Sequence, residues 1–293
     1  MIKNILQILA ISLLLNLSLI AKESNTEDLV DHTALATLMI YDARFDKAKE
    51  ELALVDTTSP QFDGAKYYTV LGVFNSKLRN TKEAINAYEK AIAATKIKVF
   101  EAPKILTKEK YLFSLASETK AKKPTPTFDG EAKRQDKIEQ LYMYLTQEYY
   151  KLKDYKNTVA SLENAGDRGK SRAGLYTLRT ECYYKLDQYS NDIDTLSRGI
   201  KLFPNDSQLL KQKFYYFADL ELYQAAIQTS KEYMQQVGAT SKEYITLSQM
   251  LIGANEIDSA IRLLEESKLK FPKDPKIGVL LGHMYLKKDM KYA

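Results

Sequence analysis

Apolar residues recur at three- and four-residue steps along most of the chain, the spacing of helices that bury one face. Four stretches carry the pattern in one register. They are YMYLTQEYYKLKDYKNTVASLENA from Tyr142, YTLRTECYYKLDQYSNDIDTLSRG from Tyr176, LKQKFYYFADLELYQAAIQTSKEY from Leu210 and YITLSQMLIGANEIDSAIRLLEES from Tyr244. Each begins 34 residues after the last, without insertion or deletion. An earlier copy from Tyr68 has the same internal spacing, and a weaker one from His32 lies 36 residues before it. The fragment GVLLGHMYLKKDMKYA opens a seventh copy and covers one helix of it. The pattern predicts an all-α chain of antiparallel helix pairs stacked along one direction. Gly72, Ala84, Ala226 and Ala260 are small enough to let paired backbones approach, while Tyr and Leu fill the space around them. Pro204 and Pro272 end second helices, because proline cannot donate the next backbone bond.

One segment breaks the register. Between the copies at Tyr68 and Tyr142 the spacing is 74 residues, one repeat plus 40. Within 97–136, Thr107 to Lys120 suits one helix, Pro124 and Pro126 set an extended stretch, and Asp129-Gly130 reads as a turn. A loop of this length serves either as a hinge or as a flap that contacts a partner. The hinge reading divides the chain into a two-repeat block at 29–96 and a block of four repeats plus one helix at 137–293.

The period and residues resemble the tetratricopeptide repeat (TPR). Leu71-Gly72, Ala84, Tyr88 and Ala91 carry the likeness in the second copy, and Tyr149, Tyr155, Leu162 and Ala165 in the third. Tyr183, Tyr189, Leu196 and Pro204 follow in the fourth, Phe217, Tyr223 and Ala226 in the fifth, and Leu247, Ser248, Ala260, Leu264 and Pro272 in the sixth. The likeness spans roughly 220 residues. It implies an all-α solenoid, a right-handed superhelix of helix-turn-helix units whose first helices line a concave groove. The groove positions implied are Met143, Gln147, Tyr150 and Lys151, then Thr177, Glu181, Tyr184 and Lys185, then Lys211 and Tyr215, then Ile245 and Gln249. This aromatic and polar mixture with lysines suits an extended peptide or a helix. Val73 stands where one TPR subclass carries an asparagine that clamps a terminal carboxylate, so that clamp is not expected.

Composition adds little to the fold and more to location. The chain is 45% hydrophobic and 28% charged, with seven prolines and eleven glycines, which suits long helices and a packed core. Twenty-one tyrosines and no tryptophan fit helices that are half core and half surface. Lys3 precedes an apolar run from Ile5 to Ala21, and charged sequence starts at Lys22. Residues 1–21 therefore read as a signal peptide cut after Ala21, or as an uncleaved inner-membrane anchor. Either way the body is expected outside the cytoplasm, in a periplasm, and the lone Cys182 is expected as a small core residue.

The chemistry expected is sparse. The net charge of +5 is spread among interspersed signs, unlike a nucleic-acid footprint. His32 and His283 have no partner at metal-ligand spacing, and no nucleophile or phosphate-loop motif is present. Glu50-Glu51 and Glu265-Glu266 point in different directions on a helix and read as solvated. No cofactor, metal or small-molecule substrate is expected. The reading is a non-catalytic adaptor for a protein of the cell envelope. The alternative is an anchored scaffold, or a chaperone-like factor beside an energy-transducing transport complex. An enzyme would need sequence past Ala293.

Overall fold

The computed structural model describes residues 30–102 and 128–292. Residues 1–21 and the middle of the interruption, with their expected signal segment and helix, lie outside the described residues. Among the described residues there are thirteen α-helices, one short 3-10 turn and no strand. The chain divides into two compact units, one up to Lys153 and one from Asp154.

The first unit holds α1 (His32–Tyr41), α2 (Phe45–Ala53), α3 (Gly64–Lys77), α4 (Thr81–Ile97) and α5 (Gly130–Lys151). Helices α1 and α2 pair, α3 and α4 pair, and α1 also packs on α3. Aspartates start these helices: Ala34 N–H donates to Asp31 at 2.9 Å and Lys66 N–H to Asp63 at 3.1 Å. Each such carboxylate accepts a second bond from a lysine 35 residues on, Lys66 for Asp31 and Lys98 for Asp63. One side chain thus caps its own helix and ties it to the next.

The expected hinge at 97–136 is not where the units divide. Helix α5 begins at Gly130, so 130–136 is helical rather than part of the interruption. Asp129 is its N-cap, accepting from the N–H of Glu131 at 2.9 Å and Ala132 at 3.0 Å, which is why Asp129-Gly130 starts a helix instead of closing a turn. The two ends of the interruption meet. Arg134 Nε donates to the Lys98 carbonyl at 3.1 Å, and a Cβ on Gly130 would come within 2.7 Å of the Phe100 carbonyl. Ile138, Leu141 and Leu145 of α5 then pack on Ala84, Tyr88, Ala91 and Ile92. The apolar face resumes where the repeat left it, so the stack continues across the interruption.

The second unit holds α6 (Tyr155–Asn164), α7 (Ala173–Lys185), α8 (Tyr189–Leu202), α9 (Ser207–Asp219), α10 (Tyr223–Val237), α11 (Ser241–Gly253), α12 (Ile257–Lys270) and α13 (Pro275–Tyr292). Helices pair as α7 with α8, α9 with α10 and α11 with α12. First helices also touch the next first helix, α7 on α9 and α11 on α13. Helices α8 and α12 stop two residues before Pro204 and Pro272.

The repeat keeps volume rather than identity. Gly72 faces Tyr88, and a Cβ there would meet the ring at 2.4 Å. In the copies from Tyr176, Leu210 and Tyr244 the same two positions hold Thr180 and Leu196, then Phe214 and Ser230 with the sizes reversed, then Ser248 and Leu264. All six of these residues are buried. A large residue on one helix is matched by a small one on its partner.

The turns repeat too. Arg79, Lys153, Asp187, Glu221 and Asn255 all have positive φ, between 54° and 64°, at the register spacing of the repeat. After Arg79, Asp187, Glu221 and Asn255 the next residue closes the helix by a backbone bond five residues back, as Asn80 N–H to Asn75 O at 2.9 Å and Leu222 N–H to Phe217 O at 2.9 Å. Left-handed backbone strains a residue with a Cβ. Glu221→Gly is therefore expected to stabilise the protein by about 0.5–1 kcal/mol, and Asn255→Gly by less, in urea unfolding.

Candidate functional site

The groove positions fall in both units. Met143, Gln147, Tyr150 and Lys151 lie on α5 of the first unit, and the rest on α7, α9 and α11 of the second. Met143 is a correction: it is 7% exposed and belongs to the interior, because α5 turns that edge inward. Gln147 and Tyr150 are half-buried and Lys151 is exposed. Lys151 donates to Glu148 at 2.6 Å and to Ser76 Oγ at 3.1 Å, and Ser76 donates to Glu148 at 2.5 Å. Glu148 itself is 1% exposed, so Lys151 neutralises a buried carboxylate as well as facing solvent.

In the second unit the centre is Glu243, a residue that spacing did not single out. Its carboxylate is 1% exposed and accepts from Lys211 Nζ at 2.9 Å and from the Tyr215 hydroxyl at 3.0 Å. It also accepts from the Thr240 backbone N–H at 2.9 Å and from the Thr240 hydroxyl. Burial pushes this carboxyl up, but the Thr240, Lys211 and Tyr215 donors outweigh it and hold the group down at about 2. Burial and the neighbouring carboxylate raise the Tyr215 hydroxyl well above its usual range, and Glu243 raises Lys211. The signal was present as a capping box, Thr240-Ser241-Lys242-Glu243.

Lysines and rings alternate around this cluster. Lys242 lies 4.9 Å above the Tyr215 ring and Lys211 5.8 Å from it, while Lys185 lies 5.9 Å from Tyr184. Lys185, Lys242 and Gln249 are exposed, and Glu181, Thr177 and Ile245 half-buried. Tyr184 is half-buried too, edge-on to Tyr189 and Tyr216 at 6.1 Å each, and hydrogen-bonded to Asp219. It is therefore part of the packing between α7, α8 and α9 as well as of the groove strip.

Other candidate chemistry sits elsewhere. Cys182 is fully buried, and burial pushes its thiol up to about 12, so it carries no thiolate at neutral pH. His32 Nδ1 lies 2.8 Å from Glu51, and His283 is exposed. Among the described residues no three His, Cys, Asp or Glu side chains are grouped to hold a metal ion. No described helix is long and apolar enough to cross a membrane.

No family model and no curated protein matches the sequence. Solved structures do match. The crystal structure of MamA protein has a TM-score of 0.51 at 14% identity, over 73% of this chain and 95% of its own. YrrB, described as a TPR protein with an unusual peptide-binding site, gives 0.49 at 15% identity, over 80% of this chain and 95% of its own. The pilF structure from Pseudomonas aeruginosa gives 0.46 at 12% identity, over 86% and 96%. With its 34-residue register, its paired helices and first helices packed on first helices, the chain has the all-α tetratricopeptide-repeat fold.

Proposed function

We propose that this chain is a non-catalytic scaffold that holds a protein segment along the first helices α7, α9 and α11. The observation that carries the reading is the cluster around Glu243. A buried carboxylate fixes Lys211 and Tyr215 in place, and that leaves the Tyr215 ring, Lys242 and Gln249 presented from adjacent helices. Fixed rings with exposed cations and amides grip a chain by stacking and hydrogen bonds at small entropic cost. The apolar run ahead of Lys22 supports export, which makes the partner a protein of the cell envelope. No cofactor or small-molecule substrate enters this reading.

The test uses exposed residues, since Tyr184 and Tyr215 also support the fold. Lys185→Ala, Lys242→Ala and Gln249→Ala combined should leave the melting curve near that of the parent. Their expected effect is to weaken partner copurification from the envelope fraction at least tenfold, about 1.4 kcal/mol. A partner retained at full stoichiometry by the triple variant would place the contact elsewhere. A mature mass that begins at residue 22 would support cleaved export, and an intact N-terminus would support the anchored alternative.

A further inference from the structure

The helix pair α7 and α8 holds most of the interior's unmet polar groups. Among the described residues seven buried side-chain atoms lack a hydrogen-bond partner, and five of them lie in this pair, on Arg179, Thr180, Asp192 and Thr195. Both carboxylate oxygens of Asp192 are among the five, and the residue is 0% exposed. Elsewhere the same register position avoids the conflict. Ala84, Ala226 and Ala260 bring no polar atom, and Thr158 turns its hydroxyl back to the Asp154 carbonyl at 2.7 Å. A carboxyl buried without donors is tolerated as the neutral acid and is far more costly as the anion.

The surroundings of Asp192 lead to the groove strip. Tyr184 faces it from α7 and Tyr216 from α9, with Asp219 bonded to Tyr184 beyond. Tyr184 lies edge-on to Tyr189 and Tyr216, and the Tyr216 hydroxyl donates to the Tyr189 carbonyl at 3.0 Å. Tyr189 opens α8 one turn before Asp192, so these rings tie the start of α8 to α7 and α9. The cations of these helices are engaged away from the carboxylate. Arg179 lies 3.5 Å from the Gly169 carbonyl and over the Tyr176 ring, and Arg198 of α8 pairs with Asp194 at 2.7 Å. Lys185 sits over Tyr184, Lys211 on Glu243 and Lys213 over Phe217. We propose that α8 is a proton-governed latch, seated on α7 and α9 while Asp192 is neutral and released more often once Asp192 is ionised, which loosens the Tyr184–Lys185 end of the groove. Release lets water reach the carboxylate while the Tyr189 and Tyr216 contacts are lost. Because burial moves the Asp192 titration from 3.8 to about 7, the latch loosens as pH rises through that range and changes little above it. It rests on the groove reading for its effect on a partner and on nothing else in that reading.

Hydrogen exchange of the full chain at pH 5 and pH 7.5, corrected for the intrinsic pH dependence of amide exchange, tests the latch without any partner. Amides of α8 should open at least tenfold more often at pH 7.5. Those of α12 should not follow, since Ala260 replaces the carboxyl there and Glu243 of the facing helix titrates lower. Asp192→Asn keeps the shape without the titration, and Asp192→Ala removes both. Each should make α8 exchange independent of pH over this range. A rise in α8 that persists in these variants would remove Asp192 as its cause, and a rise shared equally by every helix would be unfolding of the whole chain. Either result overturns the proposal. For the groove, a photoreactive residue at Lys185 should capture several-fold more partner, relative to one at Gln249, in isolated envelopes at pH 5 than at pH 7.5. In Asp192→Ala that ratio should not move. A parent ratio indifferent to pH while α8 exchange responds would overturn the coupling to the groove. Capture of nothing from either position would sink the groove reading, and the exchange result would still decide the latch.

Discussion

Asp192→Ala is expected to stabilise the protein by about 3–4 kcal/mol at pH 8. Read at register spacing, the site where paired helices come closest holds Ala84, Thr158, Asp192, Ala226 and Ala260. Asp192 is 0% exposed, and neither carboxylate oxygen has a hydrogen-bond partner among the described residues. The hydroxyls of Thr180 and Thr195, buried in the same pair of helices, are also unpartnered. Burial alone pushes the Asp192 carboxyl up from 3.8 to about 7. Tyr184 and Tyr216 face it, and its charge in turn helps to raise their hydroxyls.

The sign of the pH dependence follows from that shift. Between about pH 4 and 7 the folded chain keeps a proton that the unfolded chain has lost. The penalty is nearly absent below pH 4, grows as pH rises toward 7, and is constant above. Glu243 acts in the opposite sense and lower down. Its depressed carboxyl contributes stability above about 4.5 that is lost as pH falls toward 2. Urea unfolding of parent and Asp192→Ala at pH 8 and pH 5 separates the two groups. The gain should be largest at pH 8 and shrink to well under half at pH 5. An equal gain at both would mean that Asp192 is already ionised inside the fold at pH 5, its carboxyl not raised by burial.

The converse substitution, Ala260→Asp, is expected to cost about 3–4 kcal/mol and lower the melting temperature by roughly 10 °C at neutral pH. Ala260 is 0% exposed and packs with Phe214, Ala226, Leu247 and Leu251. A carboxylate there would meet the same apolar contact between two backbones that Asp192 meets. The fourth repeat already carries the defect that this variant would introduce into the sixth. A variant that melts like the parent would break the register on which both expectations stand.

The helix pairs were legible because each position repeats its chemistry at fixed spacing, so several weak matches reinforce one another. The turns were not. Arg79, Lys153, Asp187 and Glu221 adopt backbone normally left to glycine, and nothing in their side chains announces it. The interruption misled for a physical reason: its length suggested a hinge, while the contacts of Arg134 and Gly130 that close its ends depend on residues far apart in sequence. Met143 was misplaced because a shared register predicts which face a residue occupies, not how deeply that residue is buried. Two signals were readable and passed over. Asp192 interrupts a column of small residues, and Thr240 to Glu243 spells a capping box.

The groove claim is tested most directly by photo-crosslinking in living cells, with a photoreactive residue placed singly at Lys185, Lys242 or Gln249, and at exposed Leu269 on α12 for comparison. The account predicts that the three first-helix positions capture one and the same envelope protein and that Leu269 does not. Capture of that protein equally well from Leu269, or of unrelated proteins from each groove position, would contradict it.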